Sequence, residues 1–349
     1  MLPLVSRAGD WFLLSGIQEP SGGVARYYRA DLERNHRVST EITGYAASAL
    51  VYLHSLTGDQ RYLDQAVAAG RFLAGTAWDA ASCVLPFELD PPAFTYFFDC
   101  GIAVRGLLSV WRATGGAEFL AVAAMLGDSM SRDFVAGPAE YHPILSLPDK
   151  RPLPRDAARW SQSPGCYQLK SAMACRDLSE ATCDLAFRQP YEALLPAAMQ
   201  DASGFLPGHP VPAKVMDRLH AYLYFLEGLL PCLAEPACAT AIREGIARVA
   251  EHLREIAPEF ERSDVYAQLL RLRLYAAEIA PLDRAAANEE AERLAAFQAA
   301  SADPRVDGGF YFGCAAGAFL PYINPVSTAF AVQALALWDG AGAYRRLLI

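Results

Sequence analysis

Two apolar patterns meet in residues 39–75. Up to Leu56 nearly every position is apolar or small, with Ala47, Leu50, Val51 and Leu53 prominent. A helix of that composition is expected to be buried all round. Ser39 or Thr40 can cap it, and Glu41 falls in its first turn, where a carboxylate suits the positive helix end. Leu56-Thr57-Gly58-Asp59 breaks the pattern, with Gly58 suited to a left-handed C-terminal position. Tyr62, Leu63, Ala66, Ala69, Phe72 and Leu73 then recur at helical spacing. Asp59, Arg61, Asp64, Gln65 and Arg71 occupy the other side, so this second helix is expected to face water.

The same inner-then-outer unit recurs. Residues 99–111 give a second inner helix, Ala113-Thr114-Gly115-Gly116 repeats the turn, and 118–130 give its outer helix. Phe119-Leu120 opens that outer helix as Tyr62-Leu63 opens the first. Looser copies follow at 166–184 with 191–199, at 217–230 with 238–256, and at 264–279 with 283–299. A last inner helix is expected at 327–338, and a short N-terminal helix at 11–18 would be its outer partner. Six such hairpins predict an all-α fold, a closed (α/α)6 toroid in which residues 1–349 form one domain. A solenoid is the alternative, but it keeps a more uniform period and polar end caps. The long, variable loops before the inner helices fit a toroid with a decorated mouth.

Composition narrows the partners. The chain is 53% hydrophobic and 20% charged, with a net charge of −9 and no run of Lys or Arg. Nucleic acid and anionic membrane are therefore not expected as partners. The eight cysteines form no CxxC pair and read as reduced, mostly buried thiols of a cytoplasmic protein. The N-terminus lacks the basic start and apolar run of a signal peptide. Residues 313–338 carry no charge, but Pro321, Asn324, Pro325 and Gln333 interrupt them, which predicts a buried helix rather than a membrane span. No His/Asp/Glu cluster has metal-ligand spacing and no phosphate-cradling Gly loop follows a strand, so neither metal nor cofactor is expected.

On these hairpins the sequence resembles the six-hairpin toroids, which include unsaturated glucuronyl hydrolases, other glycosidases and N-acylglucosamine 2-epimerases. The Thr-Gly-Asp turn followed by Tyr-Leu (57–63) carries the resemblance. Gly308-Gly309-Phe310 ahead of Ser327-Thr328-Ala329 also resembles turns of terpene-cyclase toroids, but the DxDD or DDxxD cluster of that chemistry is missing. The resemblance implies a carbohydrate-active enzyme acting on a glycan or uronic-acid-containing sugar, with a small-molecule or oligosaccharide ligand. It implies a glycoside hydrolase first, then a sugar epimerase or lyase, with a non-catalytic glycan- or protein-binding toroid as the contrasting class.

Inner helices of a toroid point the same way, so their first turns ring one mouth. Glu41, Asp99, Asp217 and Asp264 place carboxylates near the starts of four of them. Asp99, Asp217 and Asp264 each have a structural reading as a helix cap, whereas Glu41 follows its own cap. Asp99, in Tyr96-Phe97-Phe98-Asp99-Cys100-Gly101, resembles the general acid of the glucuronyl hydrolases, an Asp closely followed by Gly. Desolvation among aromatics raises such a carboxyl toward a useful acid. Where those enzymes carry a second Asp near the next inner helix, Lys170 stands here. Glu41 or Asp264 is the expected second carboxylate and His220 an auxiliary proton carrier, as inner-facing histidines are in the 2-epimerases. Tyr45, Phe98, Trp160, Tyr167, Asp217, Gln268, Tyr311 and Asn324 are expected to contact substrate. Arg105 and Lys170 are candidates to bind a carboxylate or phosphate on the substrate, but Arg105 lies deep in an apolar helix, so a structural salt bridge with Glu41, Asp99 or Glu227 is its expected role.

Overall fold

The computed structural model describes residues 2–156, 159–257, 259–341 and 348–349. Among them run twelve α-helices: α1 (Leu2–Leu14), α2 (Thr40–Thr57), α3 (Gln60–Arg71), α4 (Phe97–Thr114), α5 (Ala117–Asp133), α6 (Gln168–Thr182), α7 (Gln189–Phe205), α8 (Pro212–Leu229), α9 (Pro236–Ile256), α10 (Ser263–Ala276), α11 (Arg284–Ala295) and α12 (Pro325–Trp338). The even-numbered helices form the inner ring. Each packs on the next, and α12 packs back on α2, so the ring closes. The odd-numbered helices surround it, with α1 against α12. The expected (α/α)6 toroid is the observed fold.

The Thr turn recurs because it solves one local problem three times. Thr57 Oγ1 donates to Leu53 O (2.8 Å) and accepts from Asp59 N (3.2 Å). Thr114 does the same with Val110 O and Gly116 N, and Thr182 with Leu178 O and Asp184 N. In each turn the residue after Thr is left-handed: Gly58 and Gly115 at φ 74°, Cys183 at φ 60°. Glycine takes that conformation without strain. The third copy looked degenerate only because Cys183 stands where the others have glycine. Asp59 and Asp184 then cap the following helices, accepting from Arg61 N (2.9 Å) and Ala186 N (2.9 Å).

Some boundaries differ from expectation. The first helix covers Leu2–Leu14 rather than 11–18. Val5, Ala8, Trp11 and Phe12 bury one face, and left-handed Gly16 (φ 73°) then turns the chain away. Helix α8 starts at Pro212, which is well placed in a first turn because its missing N–H is not needed there, so Asp217 lies in the second turn. The outer helix α11 stops at Ala295, because Ala299 N turns to bond Gly309 O (2.8 Å) instead.

The loops before the inner helices contain short antiparallel strands that the helical patterns do not announce. Residues 322–323 pair with 28–29, which pair with 34–35; 260–262 pair with 313–315, which pair with 318–319. These ribbons lie just ahead of α2, α10 and α12 and bring Arg26, Tyr27, Phe312 and Tyr322 to the mouth. Six of the eight free cysteines are buried, Cys83 is half-buried and Cys183 exposed. Among the described residues, no helix is long and apolar enough to cross a membrane.

Candidate active site

A cavity of ≈ 490 Å³ opens at the inner-helix N-termini. Glu41, Ile42, His220, Tyr224, Asp264, Asn324 and Val326 line it from the helices; Arg26, Tyr27, Arg262, Phe312 and Tyr322 line it from the loops and ribbons. Its polar groups come from both ends of the chain, because ring closure sets α12 beside α2.

Glu41 is the second residue of α2, and Asp99 the third of the adjacent α4. Burial, opposed by Arg26, pushes the Glu41 carboxyl up to about 7. Burial, and then the charge of Glu41, pushes Asp99 well above the carboxylate range. A charge on Glu41 therefore favours the protonated form of Asp99. Asp99 is 6% exposed, and it is Glu41 that lines the cavity. The outer position thus falls to Glu41 rather than to Asp99, the expected general acid.

On the α8–α10 side, Arg262 forks onto Asp264, with Nε 2.9 Å from Oδ1 and Nη2 2.5 Å from Oδ2, and its Nη1 reaches Asp217 Oδ1 at 2.8 Å. Burial pushes the Asp264 carboxyl up, but Arg262 and then His220 outweigh it and hold the group below its ordinary range. The Nδ1 of His220 lies 2.7 Å from Gln268 Oε1 and 3.5 Å from Asp264 Oδ2. Burial pulls His220 down to about 4, against the opposing pull of Asp264, so the imidazole is neutral at pH 7. Tyr224 stands one turn on, its ring 4.4 Å from that of His220, and Tyr45 OH donates to Tyr224 OH at 3.0 Å.

The other expected site residues divide. Asn324 lines the cavity while capping α12, its Oδ1 accepting from Val326 N and Ser327 N. Phe98 packs on Tyr224, ring centroids 4.6 Å apart, behind the cavity wall. Trp160 packs edge-on against buried Tyr167 (4.9 Å), and Tyr311 stacks on Phe319 (4.9 Å); none of these three lines the cavity. Asp217 serves Arg262 and Gln268 serves His220.

The structure places two basic residues in ion pairs, the structural role held open for them. Lys170 is fully buried, 2.9 Å from Glu227 Oε2, and donates to the Ile349 carbonyl at 3.0 Å. Arg271 binds the other Glu227 oxygen, Gln333 Oε1 (3.0 Å) and the same carbonyl (3.1 Å). Two buried cations next to a single carboxylate need such extra acceptors. Arg105 pairs with Asp177 (2.9 Å), not with Glu41, Asp99 or Glu227. Lys170 and Arg105 thus each pair with an acidic side chain from another helix, and neither lines the cavity.

Sequence reasoning missed Arg26, Tyr27, Tyr224, Arg262 and Phe312. Tyr224 carried a usable signal, lying four residues after His220 on one helix face. Arg262 carried another, as a cation two residues before Asp264. Among the described residues, no group of three or more His, Cys, Asp or Glu side chains is placed to hold a metal ion.

A closed ring of six hairpins with this mouth defines the six-hairpin toroid class of enzyme fold. No protein-family model and no curated protein sequence matches the chain. Solved structures do. A sugar epimerase from a ruminal bacterium superposes with a TM-score of 0.73 at 14% identity, covering 95% of both chains. The cellobiose 2-epimerase of Bacillus thermoamylovorans B4167 gives 0.72 at 13%, over 97% of this chain and 100% of that one. A D-mannose isomerase gives 0.69 at 11%, over 97% and 98%. At such identities the likeness is one of fold.

Proposed function

We propose that this protein is a carbohydrate-active enzyme that moves a proton at the carbon beside the carbonyl of a reducing sugar, epimerising or isomerising it. The observation that carries this reading is the pairing, on one cavity, of a neutral imidazole with a carboxyl that keeps its proton up to about pH 7. Environments that push two titratable groups apart in this way mark a base and an acid.

In the open-chain sugar, His220 takes the proton from C2. The C2–H electron pair becomes the C1–C2 double bond, and the former carbonyl oxygen takes the proton of Glu41. Loss of the O1 proton back to Glu41 with delivery of a proton to the opposite face of C2 gives the epimer; loss of the O2 proton with delivery of a proton to C1 gives the ketose. Tyr27, Tyr224, Phe312 and Tyr322 offer aromatic surface for sugar C–H faces, and Arg26 and Asn324 offer polar contacts for hydroxyls. The matched structures include two sugar epimerases and a sugar isomerase, which supports this chemistry over others hosted by the fold.

Glycoside hydrolysis is the second reading, since Glu41 and Asp264 are one proton-bearing and one ionised carboxyl on a shared cavity. It ranks second because Arg262 engages both Asp264 oxygens, which leaves no free carboxylate to activate water or attack a sugar.

Incubation with glucose, mannose or cellobiose in D2O, followed by proton NMR, tests the proposal. Loss of the C2 proton signal together with formation of epimer or ketose is expected, and His220→Gln should abolish both. Release of sugar from glycosides without deuterium at C2, or exchange that survives His220→Gln, refutes it.

A further inference from the structure

Three side chains on the cavity wall, Tyr224, Arg262 and Asn324, are held as hydrogen donors by bonds already made within the protein. Asn324 caps α12: its Oδ1 accepts from Val326 N at 2.8 Å and from Ser327 N at 3.0 Å. Those two backbone donors fix the amide's orientation, so its NH2 group points away from the helix. Tyr224 OH accepts from Tyr45 OH at 3.0 Å, which leaves its own proton for another partner. Its ring is packed among His220, Phe98 and Phe330, with ring centroids 4.4, 4.6 and 6.4 Å away. Arg262 gives N–H groups of Nε and Nη2 to Asp264 and one of Nη1 to Asp217, which leaves one N–H on each Nη. Among the described residues, none accepts from the Asn324 NH2, the Tyr224 hydroxyl or those two N–H groups. Acceptors on the wall are spent in the same bonds: Asp264 gives both oxygens to Arg262, and Asn324 gives its Oδ1 to α12.

A donor shut away from water without an acceptor is costly, so these groups favour an occupant rich in lone pairs. A sugar hydroxyl both donates and accepts, and such a wall satisfies only half of it. A carboxylate or enolate oxygen accepts only. We infer that the cavity is built to hold an oxyanion, and that aldonic acids, sugar chains with a carboxylate in place of the aldehyde, are ligands of it. Their carboxylate stands at C1, where the proposed reaction turns a carbonyl oxygen into an enediol oxygen, and donors aimed at that oxygen serve both. The inference rests on that reading for the choice of sugar chain, but binding of an acid is measured without turnover. Asn324 argues the point independently of the other two. Aspartate caps a helix as well as asparagine does, so the cap alone does not require the NH2 group.

The test is calorimetric titration of the full chain at pH 6 with gluconate and cellobionate, each against its alditol, glucitol or cellobiitol. The alditol has the same chain with CH2OH in place of the carboxylate. At least one acid is expected to bind about tenfold or more tightly than its alditol, as charge-assisted hydrogen bonds allow. Tyr224→Phe, which removes one O–H and keeps the ring, should weaken that acid by about fivefold or more and the alditol by less than about twofold. Asn324→Asp keeps the cap and turns a donor into an anionic acceptor. It should weaken the acid by about tenfold or more while Tm stays within about 2 °C. The inference is overturned if neither acid reaches that preference over its alditol, or if neither variant weakens the acid by these factors. If Asn324→Asp does not fold, Tyr224→Phe decides alone. Acid binding with no deuterium exchange at C2 of glucose, mannose or cellobiose supports the donor wall and rejects the proposed reaction. Exchange without preference for the acid does the reverse, so the two failures are distinguishable.

Discussion

Glu41→Gln should make this protein more stable in mildly alkaline solution while abolishing turnover. Glutamine has the shape and neutrality of a protonated glutamate, so below about pH 4.5 the variant and the wild type should be alike. As pH rises, the wild-type carboxyl must ionise inside the wall of the cavity. Its folded-state value is about 7 against an ordinary 4.5. Between those values the native state binds more protons than the unfolded chain, so wild-type stability falls as pH rises and the loss is complete above about pH 7. A gap of 2.5 pH units (7 minus 4.5) corresponds to at most about 3.4 kcal/mol at 1.36 kcal/mol per unit. Glu41 is half-buried, and water at its open side trims this to about 2 kcal/mol. For 349 residues, at about 2.1 cal/mol/K each, the unfolding entropy near Tm is roughly 0.7 kcal/mol/K. Glu41→Gln should therefore raise Tm by about 3 °C at pH 8 and by nothing measurable at pH 4.5, read by scanning calorimetry in matched buffers. An equal Tm difference at both pH values would refute the reasoning, because a gain that ignores pH cannot come from relief of a buried charge. Such a trade of stability for a poised acid is common at catalytic positions.

Other perturbations follow from the same contacts. The pH profile of kcat/KM for C2 exchange should rise through about 4, as His220 loses its proton, and fall through about 7, as Glu41 loses its own. Asp264→Asn removes the anion that favours protonated His220 while Arg262 remains, so the acid limb should move to lower pH; a move upward contradicts the assignment. Lys170→Met breaks a fully buried ion pair and should cost about 3 kcal/mol in urea unfolding, whereas a surface-like change below about 0.5 kcal/mol would deny it a structural role. Gly106→Ala and Gly204→Ala should act in opposite directions. A Cβ at Gly106 would stand 2.6 Å from the backbone oxygen of Gly44 where α2 and α4 touch, costing about 1–2 kcal/mol net of improved helix propensity. Nothing lies within 4 Å of such an atom at Gly204, so alanine should gain about 0.5–1 kcal/mol there.

The hairpins were legible because each depends on neighbours in sequence. Thr57 and Thr114 bond the carbonyl four residues back and the amide two residues on, so the turn and both flanking helices are written within about ten residues. The interior charges were not legible in that way. Arg105 finds Asp177, 72 residues on, and Lys170 finds Glu227 and the carbonyl of Ile349, 179 residues on. Only ring closure sets those distances, and a cation in an apolar helix looks the same in sequence whether it faces a ligand or a partner from another hairpin. The mouth ribbons were missed for a related reason: two- and three-residue strands have too few positions to show alternation.

Three first-turn carboxylates carried one signal and reached three different states. Glu41 and Asp264 are each the second residue of an inner helix, and Asp99 is the third of another. What separates them is the nearest cation. Arg262 stands two residues before Asp264 and forks onto it, so Asp264 is ionised and fixed. Ser39 and Thr40 precede Glu41 without a charge, and Arg26, which reaches the cavity from the N-terminal ribbon, also answers to Glu88 at 3.3 Å. Glu41 thus keeps its proton to about pH 7. Asp99 has aromatic neighbours in sequence and Glu41 in space, and burial together with that charge raises its carboxyl well above the ordinary range. The cue that told Asp264 from the other two lay in the tripeptide Arg262-Ser263-Asp264. A carboxylate opening a buried helix is better judged by the charge of the two residues before it than by its own position.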